Sequence, residues 1–189
     1  MRLNSPGIPL ATRRGAQIFA ALFCTVLACA PAAPQEAEVH KDVPYVPTPP
    51  EVVEAMLKLG NASAGDVHYD LGCGDGRIPI TAAQMFGATG VGIELNPDLI
   101  KEATSNAASA GVGDKVRFLN EDLFETDLRP ATVITLYLLR EMNLKLMPRL
   151  KALKPGTRIV AHSFAMGVEW PPEKVEQVSG KSIFYWVVK

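Results

Sequence analysis

The sequence predicts an α/β protein built on one doubly wound, mostly parallel sheet of seven strands in the order 3-2-1-4-5-7-6, closed by a C-terminal antiparallel hairpin. Three observations carry this. Short apolar runs alternate with segments of helical period from residue 51 to residue 164. A glycine-rich turn, Gly72-Cys73-Gly74-Asp75-Gly76, joins the first apolar run to a helical one. After Phe164 the chain is too short for another full helix but holds two strand-like runs, Val175 to Val178 and Ile183 to Val188, joined by Ser179-Gly180-Lys181-Ser182.

In chain order, Tyr45-Val46-Pro47-Thr48-Pro49-Pro50 is extended by its prolines, and Thr48 or Pro49 caps a helix over Glu51 to Leu59. A turn from Asn61 to Asp66 leads to the first strand, Val67 to Leu71, and the glycine loop to a helix broken by Gly87. Thr89 to Leu95 is the second strand, and Asn96-Pro97-Asp98 starts a helix to Ala110. Lys115 to Asn120 is the third strand and Ala131 to Leu139 the fourth, whose near-continuous apolar character asks for cover on both faces. A helix from Arg140 to Leu153, a Lys154-Pro155-Gly156 turn and a fifth strand from Arg158 to Phe164 follow.

The glycine loop states what kind of ligand it suits. A dinucleotide loop has the spacing G-x-G-x-x-G and cradles a pyrophosphate. Here the spacing is G-x-G-x-G, Asp70 closes the strand and Asp75 lies within the loop. Two carboxylates repel phosphate but suit a ligand with an amine and a sulfonium, such as S-adenosylmethionine. The acid followed by x-G-x-G-x-G resembles the first motif of class I S-adenosylmethionine-dependent methyltransferases. The resemblance makes S-adenosylmethionine the expected cofactor, with Asp70, Gly72, Cys73, Gly74, Asp75 and Gly76 around it. Glu94, with Leu95 beside it, lies about 18 positions after the last loop glycine, where a Rossmann-type site places an acid on the ribose hydroxyls. The resemblance also implies that Asp122 meets the adenine amine and Leu123 packs on the ring; an ordinary loop acid is the competing reading of Asp122.

The acceptor side is read from the loop after the fourth strand. Enzymes that methylate adenine or glutamine amides carry Asn/Asp-Pro-Pro-Tyr/Phe there. This chain has Thr135-Leu136-Tyr137-Leu138, which points away from planar amides and bases as acceptors. Tyr137 could orient an amine and His162 accept its proton; the bland readings are a packing tyrosine and a core histidine. The runs Y-V-P-T-P, D-L-G-C-G-D-G-R-I, G-I-E-L-N-P and E-D-L-F resemble small protein-lysine methyltransferases related to those acting on the ATP synthase c subunit. That resemblance implies a protein lysine as acceptor and makes Tyr45 and Thr48 candidates beside the donor, against the reading of a plain N-terminal strap.

Residues 1–30 hold three arginines, no acid and an uncharged run from Ile18 to Ala30, too short to span a bilayer, and are expected to be an export signal. Val26-Leu27-Ala28-Cys29 resembles a lipobox, which would anchor the chain to a membrane; ordinary cleavage after the small residues near Ala30 to Ala33 is the competing reading. Residues 31–43, rich in Ala, Pro and Glu, are expected to be a tether, and 44–189 the methyltransferase domain. Without residues 1–30 the chain carries 16 basic and 20 acidic side chains, a balance that excludes general affinity for nucleic acid. Cys73 is the one cysteine of the expected domain, so no disulfide framework arises. No metal site is expected, the partner is a protein or small-molecule amine, and the chain is expected to be a monomer. Because the donor is made in the cytoplasm, the alternative is an exported, non-catalytic module that binds an adenosyl compound. A nicotinamide-dependent oxidoreductase is disfavoured by Asp70 and the loop spacing.

Overall fold

A computed structural model describes residues 45–189. The export signal, the lipobox-like segment and the tether read from residues 1–43 lie outside them. The seven strands form one sheet in the order β3-β2-β1-β4-β5-β7-β6, as expected. The strands are β1 (Val67–Leu71), β2 (Thr89–Glu94), β3 (Val116–Asn120), β4 (Val133–Leu136), β5 (Arg158–His162), β6 (Lys174–Val178) and β7 (Lys181–Val187). The first five run parallel, and β7 pairs antiparallel with both β5 and β6.

Among the described residues four helices cover the sheet: α1 (Pro50–Leu59), α2 (Arg77–Phe86), α3 (Pro97–Ser109) and α4 (Arg140–Lys151). Strand residues alternate between faces, so two cores form. On one face Tyr69, Leu71, Ile134, Leu136 and Ile159 pack with Leu146 and Leu150 of α4 and with Trp186. On the other, Val160 and Ile183 meet Val52, Val53, Met56 and Leu57 of α1 and Ile78 and Ala82 of α2. Gly90 and Gly92 lie on this second face, where a Cβ would meet Pro79 and Phe118 respectively. The small residues let α2 and Phe118 approach β2 closely. Pro79 falls in the first turn of α2, where its missing N–H costs no helical bond.

The structure shortens several of the expected strands, β4 and β5 most, and selects Pro49 of the two expected caps. β4 stops at Leu136 rather than Leu139, because its last partner on one side is Leu71, where β1 ends, and on the other Ala161, one residue before the end of β5. β5 stops at His162 rather than Phe164, because Ser163 takes φ +64° and turns the chain aside. Pro49 is the N-cap of α1, with no side-chain cap; the Thr48 hydroxyl is instead engaged by His162. Between β5 and β6 the chain forms no helix, as its length implied.

Candidate active site

The glycine loop leaves the carboxyl end of β1 with Gly72, Gly74 and Gly76 at φ +79°, +53° and +79°. A Cβ at Gly74 would overlap the Tyr45 ring, and one at Gly76 would press on Phe118 and Ala103. The loop is closed by its own bonds. Gly72 and Cys73 N–H donate to Ile93 O at 2.9 and 3.0 Å, Gly76 N–H to Cys73 O at 3.0 Å, and Gly74 N–H to Glu94 Oε2 at 3.1 Å. Those amides are therefore committed, and the loop offers no ready nest for a pyrophosphate.

The acids of the site have three different environments. Asp70 is 2% exposed, and burial pushes its carboxyl up to about 7, opposed by the Thr135 hydroxyl, which donates to Oδ1 at 2.6 Å. Glu94 uses one oxygen for Gly74 N–H and the other for Asn96 N–H, at 2.9 Å, and so ties the tip of β2 to the loop. Asp75 is grasped by Arg77, with Nε and Nη2 at 3.0 and 2.7 Å. Burial pushes the Asp75 carboxyl up, but the Arg77 guanidinium outweighs it and holds the group below the usual range. The expectation that Asp75 offers a second free carboxylate is thus corrected: its charge is matched inside the loop. Cys73 also changes standing. Its thiol is buried against β2, so close that a Cβ at Gly92 would strike it, and burial drives its pKa up. The Cys73 side chain therefore turns into the fold, and only its backbone borders the loop.

Arg77 also ties down the segment before α1, donating to Thr48 O at 3.0 Å and reaching Tyr45 Oη at 3.5 Å. That strap then links to the far side of the cleft. Thr48 Oγ1 lies 3.3 Å from His162 Nδ1, and the Tyr137 ring packs on the imidazole with centroids 3.9 Å apart. Burial, helped by the Lys181 charge, pushes His162 down to about 4. Its Nε2 is buried without a hydrogen-bond partner among the described residues. Tyr45, Thr48, Tyr137 and His162 are thereby joined to the glycine loop through Arg77.

Asp122 and Leu123 stand apart from that set. The Asp122 carboxylate accepts Phe124 N–H at 2.8 Å and starts a tight turn, while Leu123 packs onto the central core. Arg149 of α4 fixes this turn through the carbonyls of Leu123, Phe124 and Thr126. Leu95 is 39% exposed, and its carbonyl accepts Asn120 Nδ2 at 2.8 Å. Sequence reasoning missed His68 and Thr135, which bond to each other at 2.9 Å behind Asp70. His68 shares a strand face with Asp70, two residues before it, a signal available in the sequence; Thr135 is placed only by the β1–β4 register.

A carboxylate sunk at the base of the loop, a second at the tip of β2, the amides of Gly72, Cys73, Gly74 and Gly76 already satisfied and the Arg77 guanidinium consumed by Asp75 form a place for a cationic, phosphate-free ligand. The family model of the ANTKMT methyltransferase domain matches residues 70–174. The chain belongs to that family. It is 47% identical over 138 residues to a protein-lysine N-methyltransferase of Saccharolobus islandicus (strain REY15A), covering 72% of this chain and 85% of that one. It is 30% identical to the lysine N-methyltransferase of the ATP synthase c subunit from Caenorhabditis elegans, over 78% and 80% of the two chains. A crystal structure described as an RNA methyltransferase of Salinibacter ruber with S-adenosyl-L-homocysteine superposes with TM-score 0.74 at 51% identity, over 76% of this chain and 94% of that one. As a member of the family the protein is an S-adenosylmethionine-dependent methyltransferase.

Proposed function

We propose that the protein methylates lysine side chains of protein acceptors. The observation that carries this is the 47% identity to a protein-lysine N-methyltransferase over most of both chains. The absence of the Asn/Asp-Pro-Pro-Tyr/Phe sequence after β4 supports it. When bound, S-adenosylmethionine supplies a methyl group on a sulfonium, which a neutral amine takes by in-line displacement with the electron pair of the broken bond left on sulfur.

The chain's own residues divide the remaining work. In this reading Asp70 accepts from the donor's amino group and Glu94 from its ribose, exchanging the bonds it makes to the loop. Gly72, Gly74 and Gly76 let the backbone approach; Asp122 and Leu123 meet the adenine, with Leu95 beside them. Tyr45 and Thr48 cover the transfer site. Tyr137 and His162 orient the acceptor. A histidine pushed down to about 4 is a weak base at neutral pH, so its role becomes that of holding a neutral lysine amine, whose released proton passes to solvent. Asp75, paired with Arg77, shapes the loop and strap.

RNA is the second reading, because the Salinibacter ruber protein is described as an RNA methyltransferase. With 19 basic and 20 acidic side chains the protein has no surplus of positive charge to draw it to RNA. The test is transfer of labelled methyl from the donor to envelope proteins, cytosolic proteins and total RNA by the full chain. Label confined to lysine residues on peptide mapping is expected. Label confined to RNA overturns the lysine reading, and tight binding without label in any fraction favours the non-catalytic module. The signal reading of residues 1–30 adds an envelope location to the proposal; fractionation of cells and the mass of the mature N-terminus test it.

A further inference from the structure

His68, Thr135 and Asp70 form a buried chain of hydrogen bonds that the methyl-transfer reading leaves unused. All three lie on the α1/α2 face, at 0%, 0% and 2% exposure. Thr135 stands directly opposite Asp70 in the parallel β1–β4 pair, and its hydroxyl lies 2.6 Å from Asp70 Oδ1 and 2.9 Å from His68 Nε2. The direction of the chain follows from counting protons. An ionised carboxylate only accepts, so the single Thr135 proton points to Asp70. The Thr135 oxygen must then accept, which requires the proton of neutral His68 to be on Nε2. That leaves Nδ1 bare, and Nδ1 is the His68 atom without a partner among the described residues.

The reverse chain is worse. With Asp70 protonated and donating to Thr135, Thr135 would donate to His68 Nε2, and the imidazole proton would move to Nδ1. A buried N–H without an acceptor is rarer and costlier than a buried lone pair without a donor. The unpartnered position of Nδ1 therefore favours the polarity in which Thr135 donates to Asp70 Oδ1, a bond that is stronger to the ionised carboxylate than to the acid.

We propose that Thr135 and His68 are positioning residues that hold Asp70 ionised against its burial, through a one-way hydrogen-bond relay. This rests on the reading that Asp70 receives the donor's amino group. Every other charge facing Asp70 works against ionisation or is already matched. Glu94 at the end of β2 and Asp75 in the loop both push its carboxyl up, Arg77 of α2 is taken by Asp75, and the Cys73 thiol is uncharged in its buried place. No cation pairs with Asp70 among the described residues. His68 itself stays neutral: burial pushes it down to about 3, opposed by Asp66. The relay thus supplies ionisation without a counter-ion, and leaves the positive partner of Asp70 to be the ligand.

The experiment is calorimetric titration of the full chain with S-adenosylhomocysteine from pH 5.5 to 9, with the His68 tautomer read by 15N NMR in the free protein. In the wild type, affinity should fall about tenfold for each pH unit below the Asp70 pKa, about 7 in the free protein. Thr135→Val removes the donor at nearly constant volume and should move that limb up by about one pH unit; Thr135→Ser should return it. Coincident limbs for wild type and Thr135→Val overturn the relay. So does an Nδ1–H tautomer of His68, a readout that needs no variant to fold. Asp70→Asn tests the underlying reading separately. If it keeps wild-type affinity and the same acid limb, Asp70 does not hold the donor's amine, whereas the tautomer still reports on the relay.

Discussion

Replacing Asp70 by asparagine should make the free protein more stable while it weakens ligand binding, and the stability gain should depend on pH. The Asp70 carboxyl titrates at about 7 in the folded protein and at its ordinary value of 3.8 when unfolded. Between those values the folded state binds more protons than the unfolded one. The stability from this group is therefore complete below 3.8, declines as pH rises, and is lost by about pH 7. At about 1.4 kcal/mol per pH unit the ionised form costs the free fold on the order of 4 kcal/mol at pH 8, and about 1–2 kcal/mol at pH 5. An asparagine keeps an oxygen for the Thr135 hydroxyl and carries no charge, so Asp70→Asn should recover most of that cost. Urea unfolding followed by the fluorescence of Trp170 and Trp186 would measure it, since Trp186 is fully buried and donates to Trp170 O at 2.9 Å. A variant no more stable than wild type at pH 8, or a gain unchanged between pH 5 and 8, would refute the argument. Functional sites commonly keep such a charge at the expense of stability.

Four further outcomes follow from other contacts. Glu94→Ala deletes the acceptor of Gly74 N–H and the proposed ribose ligand, and should weaken S-adenosylhomocysteine binding by about 10- to 100-fold at bonds worth roughly 1.5–3 kcal/mol; calorimetry showing less than a threefold loss counts against the assignment. Gly74→Ala forces a side chain into a φ of +53° under the Tyr45 ring and should destabilise the fold by about 1–3 kcal/mol, seen as a lower urea midpoint, with Tyr45→Ala relieving part of it. His162→Ala should leave S-adenosylhomocysteine affinity within about twofold but lower kcat by about 10- to 100-fold, a split expected of a group that orients the acceptor; a matching loss of affinity would place it on the donor side. Arg149→Ala frees three carbonyls of the turn after β3 and should cost about 1–3 kcal/mol, with faster amide exchange at residues 123–126 as its local signature.

The fold was legible because it rests on local signals. Apolar runs, helical period, and Gly87 and Pro97 at element ends are all written along the chain. The strand order followed from strands that alternate with helices and end in a hairpin. Boundaries failed where neighbours decide them: Tyr137 to Leu139 have strand-like side chains, but the pairing of β4 with β1 and β5 runs out at Leu136. In the site, Asp70, Glu94 and the three glycines were marked by their spacing. The changed standing of Asp75 came from Arg77, whose guanidinium turns back onto the loop rather than out to solvent.

What the sequence determined by itself was the chemistry on offer: a parallel sheet, a glycine turn and acids at two strand ends, suited to a cationic ligand. Tertiary structure decided which of those groups are free to use. It matched the charge of Asp75, turned Cys73 inward and joined Thr48 to His162 across 114 residues. It also set Thr135 opposite Asp70, 65 residues away along the chain. The reason is physical. Composition and spacing state which side chains exist, whereas burial and hydrogen-bond partners set their charge, and those arise only when β1, β4 and the strap before α1 come together.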